Sequence, residues 1–290
     1  MFKRSEKHVT DADAIRSLPR NRKEVFFDLL AHRKMTLFSL SCFTFMFFIP
    51  LAIDVFVANF FVYAAIQADK PKDAFSILFY LMLIMIPLMM VGFLGFAGGF
   101  QTAKKLVWQE GVSIAVDFFQ GVKENWKRAL INGFIFGLFL FGFIVGGCYL
   151  LIYSPTTPVW SGIGIGALIV FLLLFGMVVT LNIAQDVYYQ TPFGGTFKNS
   201  FRFIALINWK VLVLYLLTTG VLIALCCLNL ITLGIGLFLF AILNSVVIVL
   251  YTLICHSAFD KYINSEHYPE MVNKGLYKEL PADKAKDKEA

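Results

Sequence analysis

The sequence predicts an all-α membrane protein: a bundle of six transmembrane helices with amphipathic helices along its cytoplasmic face. Two observations carry that expectation. The 290 residues are 59% hydrophobic and only 15% charged, against about 25% charged in soluble domains, so a bilayer is the solvent for most of the chain. The basic residues are also segregated. Of 25 Lys and Arg, all but Lys70 and Lys72 fall in residues 1–36, 98–128, 185–210 and 257–290. Asp69 and Asp73 offset that remaining pair. Under the positive-inside rule the four basic segments share the cytoplasm with both chain ends.

Residues 1–36 form a polar cytoplasmic segment. Within it Val25, Phe26, Leu29 and Leu30 make an apolar stripe bordered by Arg22, Lys23, Arg33 and Lys34, the pattern of a basic amphipathic helix. Leu37 then opens an apolar run far longer than the roughly 7–15-residue core of a signal peptide, which predicts an anchor that is not cleaved. A spanning helix needs about 20 apolar residues. Six segments of a transmembrane domain at 37–256 qualify: 37–67, 75–98, 129–153, 159–184, 211–230 and 231–256. The first would measure about 46 Å if straight, against a hydrocarbon layer of about 30 Å. It must tilt, protrude or kink at Pro50, and Pro87 offers the second span the same option.

The last two spans meet near Asn229 without a charge between them. One helix from Val211 to His256 would run about 69 Å, too long for a single crossing, so a tight turn is predicted there. Two more amphipathic stripes lie between spans: Ile114, Phe118, Val122 and Trp126, then Phe197, Phe201, Ile204 and Ala205. Such helices either lie in the lipid interface or pack against the bundle's own inner end. Residues 257–290 close the chain on the cytoplasmic side, and their mixed-charge end reads as a partly disordered tail.

Asn125-Trp126-Lys127 precedes the third span and Asn208-Trp209-Lys210 the fifth, with Phe118 and Phe201 at the same offset of 83 residues. The spacing predicts an internal parallel repeat of one amphipathic helix and two spans, at about 99–184 and 185–256, since both triplets face inside. Two independent anchors, each with Trp at the interface and Lys reaching headgroups, also fit. These eight residues are the candidate interfacial anchors and partner face.

Asp54 is the only carboxylate within the six assigned spans, and an intramembrane acid is a functional candidate because burying its charge is costly. About 26 Å beyond Leu37, it also falls near the outer headgroups, where an acid stays hydrated. Asn182 and Asn244 complete the candidate intramembrane polar site, with Asn132 beside them, and hydrogen bonds between helices explain such residues equally well. Gly133, Gly137, Gly142 and Gly146 on the third span predict close approach of a neighbouring backbone.

The five cysteines, Cys42, Cys148, Cys226, Cys227 and Cys255, all sit in apolar spans without a CxxC pattern, so they read as small core side chains. A disulfide from Cys148 to Cys226 or Cys227 is left open. His8, His32, His256 and His267 lack metal-ligand spacing, and no catalytic triad or phosphate loop is present, so no enzyme, cofactor or metal is expected. The basic residues flank spans and form no stripe interleaved with aromatics, which argues against nucleic acid.

The stretch from Gly98 to Glu110, followed by Asp117-Phe118-Phe119 and Val122 to Lys127, resembles the central signature of the YesL-like family of bacterial membrane proteins. Phe26-Phe27-Asp28-Leu29-Leu30 is similar to that family's start. The resemblance covers about residues 22–256 and implies a bacterial inner-membrane protein of unassigned biochemical function, often found beside carbohydrate-uptake systems. The polar first 20 residues and the charged tail after about 265 depart from the family pattern.

Three functional readings follow. The first is a non-enzymatic accessory or regulatory component that meets a membrane transport complex through its cytoplasmic face. The second is a small-solute transporter, favoured by the repeat but opposed by the few ionisable groups in the spans. The third is a lipid-interacting or enzymatic role. Besides the lipid bilayer, the sequence identifies no partner, and it leaves the oligomeric state open.

Overall fold

The structure, a computed structural model, describes residues 19–153, 158–189, 192–206, 213, 215–221, 225 and 230–277. Among them there is no β-strand. Five helices are long and apolar enough to cross a membrane. Half of the predicted fifth span at 211–230, the Cys226-Cys227 pair and the last 13 residues lie outside the described residues.

Helix α1 (Arg22–His32) begins where Asn21 accepts the Glu24 N–H, an N-cap that satisfies one orphan donor of the first turn. Val25 and Leu29 of its predicted stripe are buried. Only Arg33 separates it from α2 (Lys34–Gln67). Helix α3 (Pro71–Val107) follows a turn in which Asp69 adopts φ 58°. Both α2 and α3 continue through Pro50 and Pro87. At 34 and 37 residues they measure about 51 and 55 Å, so each exceeds the hydrocarbon layer by about 20 Å.

Helix α4 (Ile114–Tyr153) corrects the expectation of a separate interfacial helix before the third span. The predicted stripe and the span are one 40-residue helix. The reason is packing. Phe118 is fully buried against Gly98 of α3 and the Phe43 and Phe47 rings of α2, and Gly121 lies on Gln101. These contacts take the stripe into the bundle. Farther along, Gly133 and Gly137 let the α3 backbone approach at Met90 and Ile86, as the spacing predicts, whereas Gly142 meets nothing within 4 Å.

Helix α5 (Pro158–Tyr188) runs antiparallel to α4, with Phe139 against Phe175. Helix α6 (Phe193–Leu206) is separate, and the face it buries is not its apolar stripe. Thr196, Ser200 and Phe203 are buried, while Phe201 is 50% exposed and Ala205 is exposed. The inward face is mostly polar because it must satisfy buried groups of α5. Ser200 Oγ accepts from Gln185 and Thr196 Oγ1 donates to Asp186. Phe118 and Phe201, paired by sequence offset, therefore have opposite environments.

Helix α7 (Leu230–Phe259) packs antiparallel on α2, where Ser41 meets Ser245 and Phe48 meets Phe240. It continues as a π-helical turn, Asp260–Asn264, and a short helical end, Ser265–His267. The beginning of α1, the ends of α3, α5 and α7 and the first half of α4 converge at one end of the bundle. The described Lys and Arg of the four basic segments lie there, and Lys70 and Lys72 lie at the other end.

Candidate functional site at the basic end

The centre of the basic end is His256, fully buried in the last turn of α7. The Trp108 indole Nε1 donates to His256 Nε2 at 2.7 Å. Indole nitrogen is only a donor, so Nε2 is the unprotonated nitrogen and Nδ1 carries the hydrogen of the neutral ring. Nδ1 therefore donates to Asp260 Oδ2 at 3.1 Å. Arg22 Nη2 comes within 2.8 Å of Nδ1, but two donors face each other there. The guanidinium bonds instead to Asp260 Oδ2 at 3.0 Å and the Lys274 carbonyl at 2.8 Å.

Asp260 collects two more donors, the Asn264 amide at 2.8 Å and the Asn273 N–H at 3.2 Å. The i,i+4 spacing places Asn264 beside Asp260, and the Tyr189 hydroxyl donates to Asn264 Oδ1 at 2.6 Å. Lys274 lies 3.7 Å from the Trp108 ring centre and pairs with Glu110. Lys104 lies over the same ring and that of Tyr188, and donates to the Val187 carbonyl. One polar cluster thus joins α1, α3, α5, α7 and the segment 268–277. Gly275, at φ 83°, seats that segment on Val107 and Trp108, where any Cβ would collide with backbone.

Chemically this is a clamp. Both ring nitrogens of His256 are engaged, so the ring has no nitrogen left to take a proton from a substrate. Asp260 holds the positive guanidinium among buried aromatics.

A second polar chain joins α4, α5 and α6. Arg128 bonds Asp186 at 3.0 Å, Asn132 donates to the other oxygen of that carboxylate at 3.2 Å, and Asn182 donates to Asn132 at 2.7 Å. Asp186 is only 5% exposed. The exposed rim around both networks carries Lys23, Lys34, Lys123, Lys127, Lys198, Arg202 and Lys261.

The sequence candidates separate. Asn125 bonds the Gly121 carbonyl of its own helix, Trp126 is 47% exposed and Lys127 lies 5.4 Å from its ring centre. Asn208, Trp209 and Lys210 lie outside the described residues. Asn182 belongs to the Asp186 chain, and Asn244 donates to the Ser41 and Phe240 carbonyls between α2 and α7. Asp54 is 8% exposed, with Oδ2 unpartnered. No hydrogen bond links Asp54, Asn182 and Asn244. The sequence reading missed Arg22, Trp108, Asp186, His256 and Asp260 as site residues. The i,i+4 pair His256 and Asp260 at the end of the last span was the one signal available for them.

Compared with family models, curated proteins and solved structures, the chain matches none.

Proposed function

We propose that the protein is a non-enzymatic, multi-pass accessory or regulatory component of a membrane transport complex, engaging its partner through the basic end. The observation that carries this reading is the clamped basic end: α1, four longer helices and the segment 268–277 are fixed in hydrogen-bonded networks beneath a rim of exposed Lys and Arg. A pre-organised face loses less freedom on association, and rim charges steer encounter. The same segregation supports a cytoplasmic basic end. Membership of the YesL-like family and a bacterial inner-membrane location belong to the proposal, supported by the signature residues quoted above. So does the sixth crossing, by the predicted fifth span at 211–230, a reading supported by α5 and α7 both ending, and α6 lying, at the basic end.

The test combines partner recovery from native membranes with phenotype complementation. Charge reversal of Lys123, Lys127 and Lys198 together should lower recovery at least tenfold at normal abundance, while Asp54→Asn complements fully. Unchanged recovery, with complementation lost only in Asp54→Asn or Asn244→Ala, would replace this reading with solute transport.

A further inference from the structure

Helix α6 has its inner side occupied and its outer side bare. Thr196, Ser200 and Phe203 face the bundle, and the two hydroxyls bond Asp186 and Gln185 of α5. One flank carries a row of rings at four-residue spacing, Phe193, Phe197 and Phe201, with successive centres 5.8 and 5.3 Å apart. The row does not stop at the helix. Phe197 lies 6.3 Å from Phe175 of α5, and Phe175 lies 6.1 Å from Phe171. Phe171 is 51% exposed, beside the exposed Val170 and Leu174, on a helix long and apolar enough to cross the bilayer, so that end of the row faces lipid. The aromatic flank of α6 therefore continues the lipid-facing surface of α5 to the basic end, where Phe201 is still half exposed.

The charge of the remaining side selects the lipid. Lys198 and Arg202, four residues apart and both exposed, share the face turned away from the bundle. Helix α6 contains no Asp or Glu, and among the described residues no carboxylate pairs with either cation. A free phosphate would meet the cations and leave the rings uncovered. A zwitterionic lipid would cover the rings without bringing net negative charge. An anionic phospholipid supplies both from one molecule, and basic residues beside an apolar aromatic stripe are the usual means of holding a helix in an anionic interface.

We propose that the outer side of α6 binds an anionic phospholipid of the leaflet at the basic end, its phosphate on Lys198 and Arg202 and its acyl chain along Phe197 and Phe201. The lipid contact needs no partner protein, so it stands or falls separately from the accessory-component reading.

The test places the full-length protein in phosphatidylcholine nanodiscs with a trace of either phosphatidylglycerol or phosphatidylcholine bearing the same diazirine-labelled acyl chain, and maps the adducts by mass spectrometry. On Phe197 and Phe201 the glycerol lipid should give at least about tenfold more adduct than the choline lipid, as two cations beside an anionic headgroup predict. On Phe60 and Phe61, exposed on the half of α2 that leads to the charge-balanced turn at Asp69 to Asp73, the two lipids should label equally. Lys198→Gln combined with Arg202→Gln should bring the α6 ratio to about one without changing the labelling of Phe60 and Phe61. A high ratio kept by the double variant would overturn the proposal. Loss of the α6 adducts to soluble glycerol phosphate would assign the cations to a free phosphate ester and overturn it too. Equal labelling of α6 by both lipids in the wild-type protein, or no α6 adduct from either, which would leave that side to a protein partner, would also overturn it, and these readouts hold even if the double variant fails to fold.

Discussion

Asp260→Ala should unfasten the basic end without unfolding the bundle. The carboxylate accepts from Arg22, His256, Asn264 and the Asn273 backbone, so its removal leaves a guanidinium and an imidazole N–H without their acceptor. Breaking a buried charge pair from one side costs about 3–5 kcal/mol. The Asp260 and Arg22 side chains are 11% and 15% exposed, which places the effect near the lower limit, about 3 kcal/mol. At about 1.4 kcal/mol per tenfold, local opening becomes roughly a hundredfold more frequent. Amide hydrogen exchange in lipid nanodiscs would read this as lost protection across 22–32 and 268–277, with the buried turns of α3 and α4 unchanged. Glu110→Ala is the contrast: its pair with Lys274 is 37% and 39% exposed and contributes less than about 1 kcal/mol. Equal exchange of both segments in wild type and Asp260→Ala would refute the clamp.

Three further predictions concern packing, capping and topology. Gly133→Ala should destabilise by about 1–3 kcal/mol, because its Cβ would lie 2.6 Å from the Met90 Cα. Gly142→Ala, with nothing within 4 Å, should be neutral or slightly stabilising, and thermal unfolding in detergent separates the two. Gln109→Gly should raise stability by about 1 kcal/mol, since Gln109 holds φ 58° in the turn that ends α3; an unchanged or lower unfolding midpoint would count against it. An impermeant maleimide added outside intact cells should label Lys70→Cys and spare Lys198→Cys, and the opposite pattern would invert the assigned orientation.

The spans were legible because length and hydropathy are local properties, and the bilayer leaves few alternatives for a long apolar run. The site was less so. Asp186 falls just past the fourth assigned span, and its burial depends on Arg128, 58 residues away. His256 acquires its meaning from Arg22 and Trp108, 234 and 148 residues away, and no periodicity reports such pairs. For helix α6 the sequence left two placements of the apolar stripe open, the lipid interface or the bundle, for a different reason. The rule that apolar faces turn inward fails where a neighbouring helix presents a buried Gln and Asp that need partners, so Thr196 and Ser200 took the inner side and Phe201 the outer.

The unbroken course of α4 has a mechanical consequence. Gly133, where the helix meets the α3 backbone at Met90, is the twentieth of its forty residues, so the contact lies at a midpoint with arms of about 30 Å. A rigid rod rocking by about 5° on that fulcrum would move each tip by about 3 Å in opposite directions. One arm carries Lys123 and Lys127, and the other carries Phe143, Ile144 and Cys148, part of the wall of an apolar cavity of about 830 Å³ within the bundle. A push received on the basic rim would reach the bilayer interior as a displacement of that wall, and a force on the wall would return to the rim.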